Sequence, residues 1–98
     1  MDKLVWNENK RQYNLLVHGL DFADAHWVLE SRIRLDLPVV RNNEQRIQAF
    51  SYVMVHLAVL TLVHVPRDDA VRIISFRHAS EEESGVYYAW LKNEYNEG

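Results

Sequence analysis

Arginine is the residue type from which this chain can build a reactive site. Its eleven Lys and Arg face fourteen Asp and Glu, a formal net charge of −3, yet the basic residues are unevenly placed. Residues 31 to 77 hold seven arginines (Arg32, Arg34, Arg41, Arg46, Arg67, Arg72, Arg77) against four acids (Asp36, Glu44, Asp68, Asp69), a local balance of +3. Residues 78 to 98 hold one lysine against five glutamates, a balance of −4. A basic middle beside an acidic tail suits a small protein with one anion-facing surface. The stretch "VRIISFRHASEEE" (71 to 83) sets Arg77 at the end of a β-branched run, beside a helix start whose free N–H groups favour anions. Arg67, in the preceding turn, is expected to converge with it. Strand alternation puts Arg72 with Ile74 and Phe76, and Arg77 with Val71, Ile73 and Ser75. Being five apart, the two arginines are expected on opposite faces. Spacing alone favours the plainer reading, solvated strand-end arginines paired to Asp68, Asp69 or the glutamates.

Other chemistries find little support. The chain has no cysteine and only three glycines (Gly19, Gly85, Gly98), so thiolate sites and Gly-rich phosphate loops are excluded. No serine-nucleophile elbow is present. None of the five histidines shares a compact ligand spacing with another, so structural or surface roles are expected and no metal or cofactor. A sequence pI near 5.9 argues against a general nucleic-acid binder. A DNA-binding regulator is disfavoured because no helix carries a basic face and residues 8 to 30 are net acidic.

The elements that must position the arginines follow from periodicity. Ninety-eight residues suit one domain, 1–98. Asn7 caps a helix from Glu8 to His18, with Tyr13, Leu16, Val17 and Leu20 on one face and Gly19 as its C-cap. Asp21 caps a second helix, with Phe22, Ala25, Val28 and Leu29 as its buried stripe. Next, "RIRLDLP" alternates as a strand closed by Pro38, and "VVRNNEQR" reads as a turn region. "IQAFSYVMVHLAVLTLVHV" is too long for one strand and is divided into two by a turn near Met54 to Leu57. After the turn "PRDDA" comes the strand "VRIISFR". Ser80 and Glu83 then form a capping box for a last helix carrying Trp90, Leu91 and Tyr95. The expected fold is α+β: a short first strand, two helices, an antiparallel sheet of about four strands, and a C-terminal helix. The most apolar run, "YVMVHLAVLTLVHV", is too short and too β-branched to span a bilayer. With the charged start "MDKLVWNENK" it points to a soluble, cytoplasmic protein.

Several of these stretches together resemble one family. "VWNENKRQYNLLVHGLDFADAHWVLE" is similar to the opening of BrnT-type toxins of bacterial type II toxin–antitoxin pairs, through Trp6, Asn7, Lys10, Asn14, His18, Gly19, Phe22 and Ala25. "VRIISFRHAS" resembles that family's Arg-Ile-Ile-Ser-Ala-Arg-x-Ala-Ser, followed by Glu83 and Tyr87. "RNNEQR" supplies Arg41, Glu44 and Arg46. The likeness runs over most of residues 4 to 88. It implies a RelE-like fold, metal-independent mRNA cleavage by 2′-hydroxyl attack, and a small cognate antitoxin, in a heterotetramer or beside a toxin homodimer.

On that resemblance, Arg77 and Arg67 are expected to stabilise the phosphorane, and His18 to act as acid or base. Lys10, Arg46 and Arg41 are expected to bind RNA phosphates. His18 also suits a purely structural place, as a cation at a helix C-terminus. The chain departs from the family pattern at Val17 (commonly Lys), at Phe76 (commonly small), in the acidic "SEEES" and in a hairpin without glycine. The first three remove or offset positive charge where phosphates would lie. The rival reading is therefore a catalytically weak or inactive binding module that engages a protein partner.

Overall fold

The computed structural model describes residues 3–95. Strand β1 (Lys3–Val5) leads into helix α1 (Glu8–His18). The Asn7 side chain accepts the Lys10 N–H at 3.1 Å, and Gly19, at φ +70°, sends its N–H back to the Leu15 carbonyl. The expected second helix is split. Asp21 accepts the Ala23 N–H at 2.9 Å and starts a 3₁₀ turn, Phe22–Asp24, followed by the one-turn helix α2, His26–Leu29. Phe22, Ala25 and Val28 are fully buried as expected. The rest of the chain is β2 (Leu35–Arg41), β3 (Glu44–Val53), β4 (Ala58–Pro66), β5 (Ala70–His78) and α3 (Glu81–Tyr95).

The five strands form one mixed sheet in the order β1-β5-β4-β3-β2. Four are antiparallel neighbours, as expected. The three-residue β1 adds a parallel edge on β5 that the antiparallel expectation does not include. Pro38 does not close a strand but sits inside β2. As an edge strand, β2 has one side free of partners among the described residues, where a missing N–H costs nothing. The "VVRNNEQR" stretch is strand at both ends. Only Asn42 and Asn43 turn, at φ 52° and 63°, the paired positive values of a two-residue hairpin, which asparagine tolerates. The turn near Met54 to Leu57 is present, as a 3₁₀ turn, Met54–His56, closed by Leu57 at φ 51°. Leucine costs about 1–2 kcal/mol in that left-handed region, so a turn is imposed here on residues that do not signal one.

Residues opposite one another across antiparallel strands share a face. One face carries Ala49, Val53, Leu60, Leu62, Val71, Ile73 and Phe76 into the main core, against Leu20, Phe22, Ala25 and Val28. On the other face, Phe50 and Val59 pack on Tyr87, with Leu35, Tyr52, Trp90 and Leu91 around them. Helix α3 therefore covers one end of that second face and leaves the other end open.

Helix α1 contradicts its apolar pattern. Tyr13, Leu16 and Val17 are 68%, 84% and 50% exposed, and the buried residue of the helix is Asn14. The reason lies at the sheet edge. β1 pairs only as far as Arg72, so the later backbone of β5 lacks a strand neighbour there among the described residues. Asn14 takes that place. Its Oδ1 accepts the Phe76 N–H at 3.2 Å, and its Nδ2 donates to the carbonyls of Phe76 at 2.7 Å and Leu20 at 3.0 Å.

Candidate functional site

The open end of the second face collects the arginines. Register explains how. Val63 lies opposite Ser75 while His64 lies opposite Ile73, so Ile74 is an extra residue, a β-bulge. One inserted residue reverses the alternation beyond it. Arg72 pairs with Val65 and Arg77 with Thr61, which puts both arginines on the same face. The opposite-face expectation fails because strict alternation has no place for the bulge.

Across β4, the same face carries Arg46 and Gln48 of β3, and Arg41 pairs with Glu44 at the hairpin. Glu44 is the focus. Its carboxylate accepts from Arg72 Nη2 at 2.8 and 2.9 Å and from Arg46 Nε at 2.8 Å. Arg67 Nη2 stands 4.0 Å away. Three guanidinium groups around one carboxylate leave a local charge of +2 at an open surface. Hydrogen bonding to Arg46, together with the charges of Arg72, Arg46 and Arg67, holds the Glu44 carboxyl below the usual carboxylate range. The Nε of Arg72 is buried and has no hydrogen-bond partner among the described residues. Arginine forks of this kind match the bidentate geometry of a phosphate.

Arg77 lies farther along β5, about 15 Å from Arg72 at ~3.3 Å per residue, at the border of the α3-covered area. Its two Nη atoms donate to the Glu83 carboxylate at 2.8 and 3.0 Å. Glu83 also closes the expected capping box. Its Oε1 accepts the Ser80 N–H at 2.8 Å, and the Ser80 Oγ accepts the Glu83 N–H at 3.1 Å. Gln48 Nε2 reaches Thr61 Oγ1 at 3.1 Å and Glu83 Oε2 at 3.3 Å. The glutamates therefore do begin a helix, and one of them also grips the arginine nearest to it.

The sequence-derived residues divide accordingly. Arg46 and Arg67 meet at Glu44, Arg41 lies on their face, and Arg77 forms a second station. Arg67 does not converge with Arg77, because the turn before β5 is at the opposite end of that strand. Lys10 and His18 are exposed on α1, the helix whose Asn14 caps the β5 edge. Among the described residues no hydrogen bond or ion pair joins either to the arginines. Sequence reasoning misses Arg72 and Glu44 as central members. Strict alternation assigns Arg72 to the wrong face, and Glu44 stands out only as part of a loose motif.

The Glu83 carboxyl, gripped by Arg77, is pushed down to about 2 from an ordinary 4.5. A carboxyl with a depressed folded-state pKa adds stability fully above pH 4.5, and that stability fades as pH falls towards 2. Glu83→Gln is therefore expected to flatten the loss of unfolding free energy across that window, by about 1–2 kcal/mol after allowing for its partial exposure. Urea titrations at a series of acidic pH values check this; parallel curves for the two proteins would remove Glu83 as a cause. Asp21, held near 2 by Arg11, contributes to the slope that remains, together with the lowered Glu44 and Glu8 carboxyls.

A family model described as ribonuclease toxin, BrnT, of type II toxin–antitoxin system matches residues 6–83. The matched span ends at Glu83 and so takes in both arginine stations. A search for similar curated proteins finds no match.

Proposed function

The chain belongs to the BrnT family of ribonuclease toxins of type II toxin–antitoxin systems, and on that premise we propose that it cleaves mRNA without a metal on its open, arginine-bearing sheet face. The observation that carries the reading is the cluster of Arg46, Arg67 and Arg72 around Glu44. In the proposed reaction the arginines leave Glu44 to hold the scissile phosphate. Glu44, a carboxylate at neutral pH, takes the proton of the ribose 2′-hydroxyl. The 2′-oxygen bonds to phosphorus, the bond from phosphorus to the 5′-oxygen breaks, and that oxygen leaves with a proton supplied by water or by His18. Guanidinium groups stabilise the extra negative charge of the phosphorane. Arg77, released from Glu83, and Arg41 would hold flanking phosphates, with Lys10 beyond the β5 edge. The scaffold in this reading is RelE-like, and the protein acts in the cytoplasm. A cognate antitoxin silences it, as a heterotetramer or against a toxin homodimer.

The test is incubation of the purified chain with a mixed-sequence RNA in excess EDTA. The expected products end in a 2′,3′-cyclic phosphate and a 5′-hydroxyl, and cleavage weakens steeply with added salt. Products bearing 5′-phosphates, or cleavage abolished by EDTA, would overturn the mechanism.

A second reading has its own observation. Arg46, Arg72 and Arg77 are each already paired with a carboxylate of the chain, while α1 displays Tyr13, Leu16 and Val17 to solvent. A toxin-like module that binds a protein partner through α1, with little catalysis, fits those facts. Intact RNA beside a folded chain that captures its antitoxin would select it.

A further inference from the structure

Two histidines far apart in the chain meet at one end of the sheet. His78 is the last residue of β5, and His56 ends the 3₁₀ turn before β4. Their ring centres stand 5.5 Å apart, with the planes at 83°. His78 pairs with Leu60 across β4, and Leu60 lies in the main core, so His78 is on the face opposite the arginines. His56 is half-buried and packs on Trp27, with 5.2 Å between ring centres, a contact that holds its ring in place. His78 is exposed, so solvent reaches the pair from its side. Among the described residues no hydrogen bond occupies a nitrogen of either ring. The neighbouring Arg77 Nη1 reaches only the His78 backbone carbonyl.

We propose that His56 and His78 together bind a divalent ion that favours imidazole, of the zinc, nickel or copper type. Neutral imidazole is the commonest protein ligand for such ions. An ion held at about 2.0–2.1 Å by one nitrogen of each ring, at tetrahedral angles, sets the ring centres roughly 5 Å apart. That is close to the separation seen, and the exposed His78 ring is free to turn a nitrogen towards the shared point. Among the described residues no third His, Cys, Asp or Glu completes the set, so water holds the remaining positions. Two nitrogens without a carboxylate select against magnesium and calcium, which take oxygen ligands. Bound there, the ion would tie the turn to the end of β5. Sequence spacing conceals this bridge, because the pairing of β4 with β5 creates it. The site is independent of the proposed RNA cleavage, which uses no metal and the opposite face.

The test adds zinc chloride to the isotope-labelled full chain at neutral pH while the ring C–H resonances of all five histidines are followed. His56 and His78 are expected to shift together and to saturate with one ion per chain. Magnesium chloride is expected to shift neither. His56→Ala and His78→Ala should each weaken zinc binding at least about tenfold, the loss typical when even a supporting partner of a metal ligand is removed. His26→Ala, which removes an exposed histidine outside the pair, should leave it unchanged. Zinc should also raise the thermal midpoint of the wild type and of His26→Ala, and of neither other variant, because an ion that binds only the folded chain stabilises it. Absence of a saturable shift overturns the proposal. So do shifts of His56 and His78 at different zinc concentrations, or binding that survives His78→Ala, either of which marks an adventitious ion only. If His56→Ala does not fold, the wild-type titration and the exposed His78→Ala still decide.

Discussion

Replacing Arg46 and Arg72 together with alanine is expected to slow RNA cleavage by about 10²–10³-fold while the protein stays folded. Removing one preorganised donor aimed at transition-state charge costs about that much in other enzymes. The two arginines provide the hydrogen bonds that now reach Glu44. Stability should fall only modestly, since Arg72 and Glu44 keep about a third of their side-chain surface exposed and such pairs contribute weakly, while the less exposed Arg46 also loses the packing of its stem. The single changes are expected to cost less than the pair, because Arg67 remains near the same carboxylate. Lysine at both positions restores charge without the two-pronged fork, so partial recovery is expected. Single-turnover cleavage with circular dichroism on the same samples makes the comparison. Full activity in the double alanine variant would move the reaction away from this face. Equal loss in the lysine variant would show that the geometry of the fork matters more than its charge.

Asn14→Leu is expected to destabilise the fold by about 2–5 kcal/mol, a large share of the ~5–15 kcal/mol typical of a domain. Leucine fills nearly the same space, so a cavity is not the cause. It removes three hydrogen bonds from one side chain, and the Phe76 N–H and C=O and the Leu20 C=O lose their partner at a buried site. At roughly 4–8 °C per kcal/mol for a domain of this size, the thermal midpoint should fall by more than 8 °C. Asn14→Asp separates the two kinds of bond. Its oxygen still accepts the Phe76 N–H, but at neutral pH it faces two carbonyls with negative charge. That variant should recover stability as the pH is lowered and the carboxyl is protonated. An unchanged midpoint for Asn14→Leu would show that solvent serves the β5 edge as well as the amide does.

Elements whose causes are local were legible in the chain alone. Asn7 and Gly19 bound α1 because capping depends on a few adjacent residues. The Ser80 and Glu83 pair starts α3 for the same reason. The need to turn within a long apolar run places the break near Met54 to Leu57 even without a turn residue. Arginine as the chemistry-bearing residue type was also legible, since charge counts require no coordinates, and the resemblance to the toxin family rests on ordered motifs.

Which arginines meet is a matter of strand pairing. The bulge at Ile74 arises from how β4 and β5 pair, and it brings Arg72 onto the face of Arg77. Glu44 becomes the centre because β3 and β5, distant in sequence, flank β4 in space. The apolar stripe of α1 faces solvent because an unpaired strand edge needed an amide more than the core needed another leucine. Local periodicity says that a face is apolar. What covers that face is set by long-range pairing, which one stretch of chain does not encode.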